Sequence, residues 1–253
     1  MNNTQSDLVT LSAQSPVGTL TLNRPDARNA LSLELLDALH ARLDELAART
    51  DLHVLVVTGA GKAFCAGMDL KLVLDVPGAP LKLLTSLAEA TLKLRALPMV
   101  TLAKVNGAAI GGGCGLACVC DLTLTHADAK LGFPEVDLGV CPAVVAPWLV
   151  RKVGAGHARR ILLSGGLMSG ERAFSLAMVD HLVPGLADLD AAADTIAQRL
   201  ASGGPNALRA TKDLLNHLDD SINPDLPLKG AQLSAKVIAS DEAQAMLRAK
   251  MTK

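Results

Sequence analysis

Aromatic residues are nearly missing from this chain: one Trp, three Phe and no Tyr among 253 residues. Stacking platforms for single-stranded nucleic acid are thereby excluded, and the core has to be built from Leu, Val, Ile and Ala. Excess charge is missing too. The 24 Lys and Arg offset 25 Asp and Glu to a formal charge of −1, without a basic run, so the footprint of a nucleic-acid binder is absent. Long apolar runs are also lacking. The two longest uncharged stretches, Gly107–Cys120 and Leu138–Val150, fall short of the roughly 18–20 residues of a membrane span, and the second holds Pro142 and Pro147. Met1–Asp7 lacks the basic-then-apolar order of a signal peptide. The five cysteines (Cys65, Cys114, Cys118, Cys120 and Cys141) are odd in number and sit among Gly, Ala and Val. They read as reduced thiols of a cytoplasmic protein. Cys118-x-Cys120 lacks the paired partners of a zinc site, so no metal is expected.

What is present is a folded chain. Half the residues are apolar and 19% are charged, and a chain this long buries roughly 70–75% of its unfolded surface. Alternation at Leu8–Leu11 and Gly18–Leu22 predicts a strand hairpin. Ser32 caps a predicted helix carrying Leu35, Leu36, Leu39, Leu43 and Leu46 at helical spacing. Strands are expected at His53–Thr58, Met99–Val105, Asp121–Thr125 and Val179–Val183. Helices are expected from Asp69, over Leu81–Leu97 and over Gly112–Cys120. Further helices are expected at Val144–Val153, Ala155–Leu163, Ser169–Ala177, Leu189–Leu200, Pro205–Leu218 and Leu226–Arg248. Strands alternate with helices first and helices gather at the end, which is an α/β layout with a helical tail suited to oligomerisation.

Two junctions attract chemistry. Phe64-Cys65-Ala66-Gly67-Met68-Asp69 and Asn106–Gly115 each lead from a strand through small residues into a helix. Free N–H groups at such helix starts favour negative charge, and two of them meeting at one point would form an oxyanion hole. The same glycines would equally serve as tight turns between packed strands. Gly59-Ala60-Gly61-Lys62 lacks the spacing of a phosphate loop, and Gly111-x-Gly113 is followed by Leu116 where a dinucleotide site needs glycine. There is no Gly-x-Ser-x-Gly elbow, and the six His are scattered. Among the acids, Glu135 stands out in Gly132-Phe133-Pro134-Glu135-Val136. Apolar neighbours would desolvate it, raise its pKa and suit it to proton transfer; a capping or ion-paired role is the alternative. Asp121 reads as structural.

These segments together resemble the enoyl-CoA hydratase/isomerase (crotonase) superfamily from about Val17 to Pro184. The matching pieces are Leu22-Asn23-Arg24-Pro25 with Arg28-Asn29-Ala30-Leu31, Ala63–Leu70, Val105-Asn106-Gly107 with Gly111–Cys114, and Cys120-Asp121-Leu122. Phe133-Pro134-Glu135 with Leu138-Gly139, Gly154 through Gly165, and Val179–Val183 complete the series. The resemblance implies a spiral of β-β-α units over residues 1–190 and an oligomerising helical region over 191–253, assembled as a homotrimer or a dimer of trimers. It implies an acyl-CoA substrate with no cofactor beyond that CoA. By position, the backbone N–H groups of Met68 and Gly112 would hold the thioester oxygen, and Glu135 would be the general acid/base. Asp26, Ala27, Arg28, Ala30, Ala66, Asp69, Leu70, Lys71, Gly111, Pro134 and Pro142 would contact substrate. Arg28 and Lys71 would serve the CoA phosphates, and Lys250 of a neighbouring subunit the ribose phosphate.

At one position the chain departs from that pattern. Typical hydratases carry one Glu just after the Gly-Gly-Gly-Cys segment and a second after Phe-x-x; here the first place holds Gly115. The expected activity is therefore that of a hydratase-like enzyme working through an enolate with one Glu. An enoyl-CoA isomerase and a catalytically silent acyl-CoA binder are the alternatives. The chain also resembles a branch labelled methylglutaconyl-CoA hydratase. Glu89 and Asp137 are the candidates for a second proton donor, and Met68, Leu72, the Leu81–Leu97 helix and Cys141–Val145 for the acyl pocket.

Overall fold

The computed structural model describes residues 8–76 and 78–251, without the side chains of 71–73 and 251. The predicted hairpin is β1 (Val9–Gln14) with β2 (Val17–Leu22), antiparallel from Val9 opposite Leu22 to Gln14 opposite Val17. Parallel strands then extend one sheet through β3 (Val54–Gly59), β5 (Val100–Val105), β7 (Leu122–His126) and β10 (His181–Val183), in the order β1-β2-β3-β5-β7-β10. The uninterrupted apolar run of β3 reflects burial on both faces. Leu55 and Val57 face the main core with helix α1 (Leu33–Ala47), whereas Val54 and Val56 pack on α7 (Leu189–Ala201).

A second sheet is the main departure from expectation. Three-residue strands β4 (Ala63–Cys65), β6 (Ala108–Ile110), β8 (Lys130–Gly132) and β9 (Leu167–Ser169) pair in that order, antiparallel only at β8/β9. Three times the chain passes from the large sheet to the small one and then into a helix: β3-β4 into α2 (Leu70–Asp75) and α3 (Ala79–Ala96), β5-β6 into α4 (Gly112–Val119), and β7-β8 towards α5 (Ala146–Ser164). This is the β-β-α spiral, and the parallel strands β4, β6 and β8 run in one direction.

Other boundaries shift. Helix α5 is interrupted at Gly154, whose φ of 76° and ψ of 161° are non-helical, as the two separate predicted segments require. The predicted helix over Ser169–Ala177 shortens to α6 (Gly170–Ser175). The single helix expected over Leu226–Arg248 is instead two, α9 (Asp225–Ile238) and α10 (Asp241–Met251). Ser240 breaks it, because its Oγ accepts the Ala243 N–H (3.3 Å) and caps a new start. Helix α8 (Pro205–Leu218) lies between α7 and α9 in sequence. Among the described residues no helix is long and apolar enough to cross a membrane.

Candidate active site

The first corner follows β4. Leu31 N–H donates to Gly67 O (2.8 Å) and Asp69 N–H donates to Leu31 O (3.0 Å), an isolated parallel bridge between Leu31 and Met68. Because Leu31 engages the residues on either side of Met68, the N–H of Met68 itself faces away from Leu31. The Arg24–Asn29 segment braces this corner. Asn29, fully buried, donates its amide to Ala60 O, Ala63 O and Phe64 O at 3.0, 2.8 and 3.2 Å. Arg24 pairs with Asp69 at 3.0 Å and Ala66 N–H donates to Arg28 O at 3.0 Å.

The second corner follows β6. Gly111, at φ 53°, turns the chain into α4, and Gly112 as its first residue has an N–H with no partner inside the helix. The two corners touch backbone to backbone. A β-carbon at position 67, where φ is 88°, would lie 2.8 Å from Ile110 O and 4.0 Å from Gly112 N. Only glycine lets them approach this closely.

The third element is Glu135, delivered by β8 and Phe133-Pro134 and held by a 3-10 turn, Val136–Leu138. Its carbonyl accepts Leu138 N–H (3.0 Å) and Val140 N–H (2.8 Å). Its carboxyl lies against Gly111, where a β-carbon would stand 2.8 Å from Oε1. The residue is 8% exposed and Oε2 is buried without a hydrogen-bond partner. Burial pushes its pKa up to about 7, against the smaller opposing pull of its own backbone N–H.

Met68, Gly112 and Glu135 line two adjoining cavities. The outer one, about 670 Å³, adds Ala66, Gly67, Leu70, Ile110, Gly111, Pro134, Asp137, Leu138, Leu167 and, from α10 of the same chain, Met246, Ala249 and Lys250. The inner one, about 20 Å³, is closed by Leu84, Leu87, Val140, Cys141, Pro142, Val144, Val145 and Ser234. Asp26, Ala27, Arg28, Ala30 and Asp69 line neither cavity; Asp26 and Arg28 are exposed, and of these only the Arg28 carbonyl is bonded to Ala66 among the described residues. The side chains of Lys71 and Leu72, like Met1–Asp7, lie outside the described residues. Neither candidate second proton donor reaches the inner cavity. Glu89 is exposed on α3 and lines neither space, and exposed Asp137 on the outer wall accepts Gly166 N–H at 2.7 Å. Among the described residues no three His, Cys, Asp or Glu gather as a metal site.

Sequence reasoning missed the contribution of α9, and from α10 it named only Lys250, as a neighbouring subunit's residue, whereas Lys250 lines the outer cavity of its own chain. Ser234 Oγ donates to Cys141 O (2.6 Å) and accepts Ala143 N–H (3.2 Å), and a β-carbon at Gly230 would lie 2.4 Å from Ala143 O. The only available signals were Gly230 and Ser234, small residues four apart on one helix face.

Comparison with known proteins gives the family. The enoyl-CoA hydratase/isomerase family profile matches residues 12–249. The chain belongs to the enoyl-CoA hydratase/isomerase family. It is 36% identical to the 2,3-dehydroadipyl-CoA hydratase of Escherichia coli over 211 residues, covering 83% of this chain and 82% of that protein. It is 33% identical to the crotonyl-CoA hydratase of Syntrophomonas wolfei over 215 residues, covering 82% and 81%. The crystal structure of an enoyl-CoA hydratase from Mycobacterium avium superposes with a TM-score of 0.86 at 28% identity, over 97% of this chain and 96% of that one. The chain is thus an enzyme of the hydratase/isomerase family acting on CoA thioesters, with the crotonase fold. On α4, Gly115 follows Cys114. A β-carbon there would lie 2.2 Å from Val145 Cγ1 and 2.8 Å from Val145 Cβ, so the Val145 side chain occupies the space into which a larger residue at 115 would project.

Proposed function

We propose that this enzyme moves the double bond of an enoyl-CoA thioester by proton transfer through an enolate, with Glu135 as the one acid/base. The ionised carboxyl takes the proton from C2 of a 3-enoyl thioester. The released electron pair flows onto the thioester oxygen, which accepts hydrogen bonds from the Met68 and Gly112 N–H groups. The protonated carboxyl then returns the proton at C4, leaving the 2-enoyl product. Donors aimed at such an oxygen are each worth about 2.7–4 kcal/mol of barrier.

One observation carries this reading: among the described residues Glu135 is the single carboxylate on the inner cavity, and Val145 fills the place beside Gly115. Water addition works best with two acid/base groups about the water, and only one is on that wall. Hydration with Glu135 alone is the second reading, favoured by the activities named for the relatives and by an inner space about the size of one water. The test follows the conjugated-thioester absorbance. With a 3-enoyl-CoA it should rise, and with a 2-enoyl-CoA it should fall only slowly. Fast loss from the 2-enoyl thioester without any gain from the 3-enoyl one would select hydration. Silence with both, alongside tight CoA binding, would make the chain a binder.

The same proposal has Arg28 and Lys71 serve the CoA phosphates and Lys250 the ribose phosphate, in a cytoplasmic setting that suits five free thiols. It also has the chain working as a homotrimer or dimer of trimers. In support, an apolar groove of about 950 Å³ runs between α5 and α9, and Val150, Leu163, Leu226 and Leu233 stand exposed along it. Light scattering should return three or six times the chain mass; a monomer would refute the assembly.

A further inference from the structure

We infer that Val145 is the residue that sets acyl chain length, by plugging the inner end of the acyl cavity over Gly115. The inference rests on the proposed placement of the thioester at Met68 and Gly112. Beyond those two residues lies the inner cavity, whose apolar wall beside Glu135 includes Leu84, Leu87, Val140, Val144 and Val145. That lining suits a hydrocarbon tail. Its volume, about 20 Å³ against 670 Å³ outside, leaves room for a methyl-sized group and no more. Leu84, Leu87 and Val145 all belong to the main core cluster, the two leucines from within α3. Val145 differs in its place and in what backs it. It sits at the N-cap of α5, and behind it stands a residue with no side chain. The Val145 side chain fills the space over Gly115, so trimming it opens room against bare backbone. The three nearest atoms that a Cβ at 115 would meet all belong to Val145, the nearest at 2.2 Å. The substrate class that follows is the short-chain acyl-CoA thioester.

Binding of saturated thioesters tests this without turnover. Butanoyl-CoA and octanoyl-CoA are titrated calorimetrically into wild type, Val145→Gly and Val145→Ala. Glycine is a tolerated N-cap, and the alanine variant reads the same quantity if the glycine variant does not fold. Wild type should prefer butanoyl-CoA. Because each buried methylene is worth about fourfold in affinity, Val145→Gly should move the octanoyl-to-butanoyl ratio about tenfold towards octanoyl, and Val145→Ala by less. Gly115→Ala should weaken butanoyl-CoA binding by forcing Val145 inward, and the double variant Gly115→Ala/Val145→Gly should restore it. An unchanged ratio in a folded Val145 variant overturns the role of Val145. Saturated thioesters cannot isomerise, so a failure of the proposed reaction appears separately, as absent turnover of 3-enoyl-CoA.

Discussion

Glu135 holds a carboxyl group where water cannot solvate it, and that has opposite consequences for turnover and for stability. As a base it must be ionised, so kcat/KM should climb with pH along an acid limb centred near 7, where burial has moved its pKa. Glu135→Gln removes the base and should lower turnover about 10²- to 10⁴-fold while CoA binding persists. For folding the sign reverses. The folded pKa lies above the ordinary 4.5, so the fold favours the protonated form. That contribution is complete below pH 4.5, fades as pH rises and is gone above about 7, a loss of about 3 kcal/mol. Glu135→Gln should therefore raise Tm at pH 8 and change it little at pH 4.5. Equal Tm for both proteins at both pH values would contradict a buried, unpartnered carboxylate. This residue was legible beforehand because Phe133, Pro134 and Val136 announce its burial. Asn29 was not legible as a keystone, since its role is to satisfy three carbonyls of a loop more than 30 residues away.

At the level of elements, the loop 139–145 forms the inner wall but has little regular structure of its own, so something else must hold it. Helix α9 does so, through both hydrogen bonds of Ser234 and the close approach at Gly230. Ser234→Ala should cost about 1–2 kcal/mol of stability, because Cys141 O and Ala143 N–H each lose a partner. It should also raise KM more than it lowers kcat, since Ser234 positions the wall and touches no reacting atom. Steady-state kinetics beside urea unfolding would check both; lost stability with KM untouched would mean that the loop keeps its place unaided. Most strands of the large sheet were legible because their runs last five or six residues, as in Val54–Gly59, and the three-residue β10 lies within an apolar stretch expected from Val179. Strands β4, β6, β8 and β9 were not. Three residues are too few to display alternation, and their pairing is fixed by the spiral and not by their own composition. The break between α9 and α10 had a readable signal, Ser240 followed by Asp241 and Glu242 at a helix start, overridden by the apolar periodicity on either side.

For the whole molecule, the question is what ties the helical end of the chain to the sheets that present the site. A charged cluster does part of this. Asp121, where α4 gives way to β7, accepts Thr101 N–H and Oγ1–H at 2.8 and 2.9 Å, Lys212 Nζ at 2.8 Å and Arg95 Nη1 at 3.2 Å. Lys212, on α8 and 7% exposed, also donates to Met99 O at 2.8 Å, and Arg95 on α3 reaches Asp219 at 3.1 Å. One carboxylate thus gathers β5, β7, α3 and α8. Burial lowers the Lys212 pKa while Asp121 opposes the shift, so the ammonium depends on its partner. Asp121 read as structural from its place between helix and strand, but nothing near Lys212 in sequence marks it as buried, because its partners lie about a hundred residues earlier. Lys212→Ala should remove about 3–5 kcal/mol of stability, leaving the Asp121 carboxylate and the Met99 carbonyl short of a donor. Lys212→Met, which keeps the stem packing, should lose less. Neither position lines the outer or inner cavity, so the fraction that remains folded at low temperature should turn over substrate at the wild-type kcat. Urea unfolding with kinetics on the same samples separates the outcomes. A kcat that falls in step with stability would mean that α8 helps to set the geometry around Glu135, and the cluster would then belong to the site and not only to the frame that carries it.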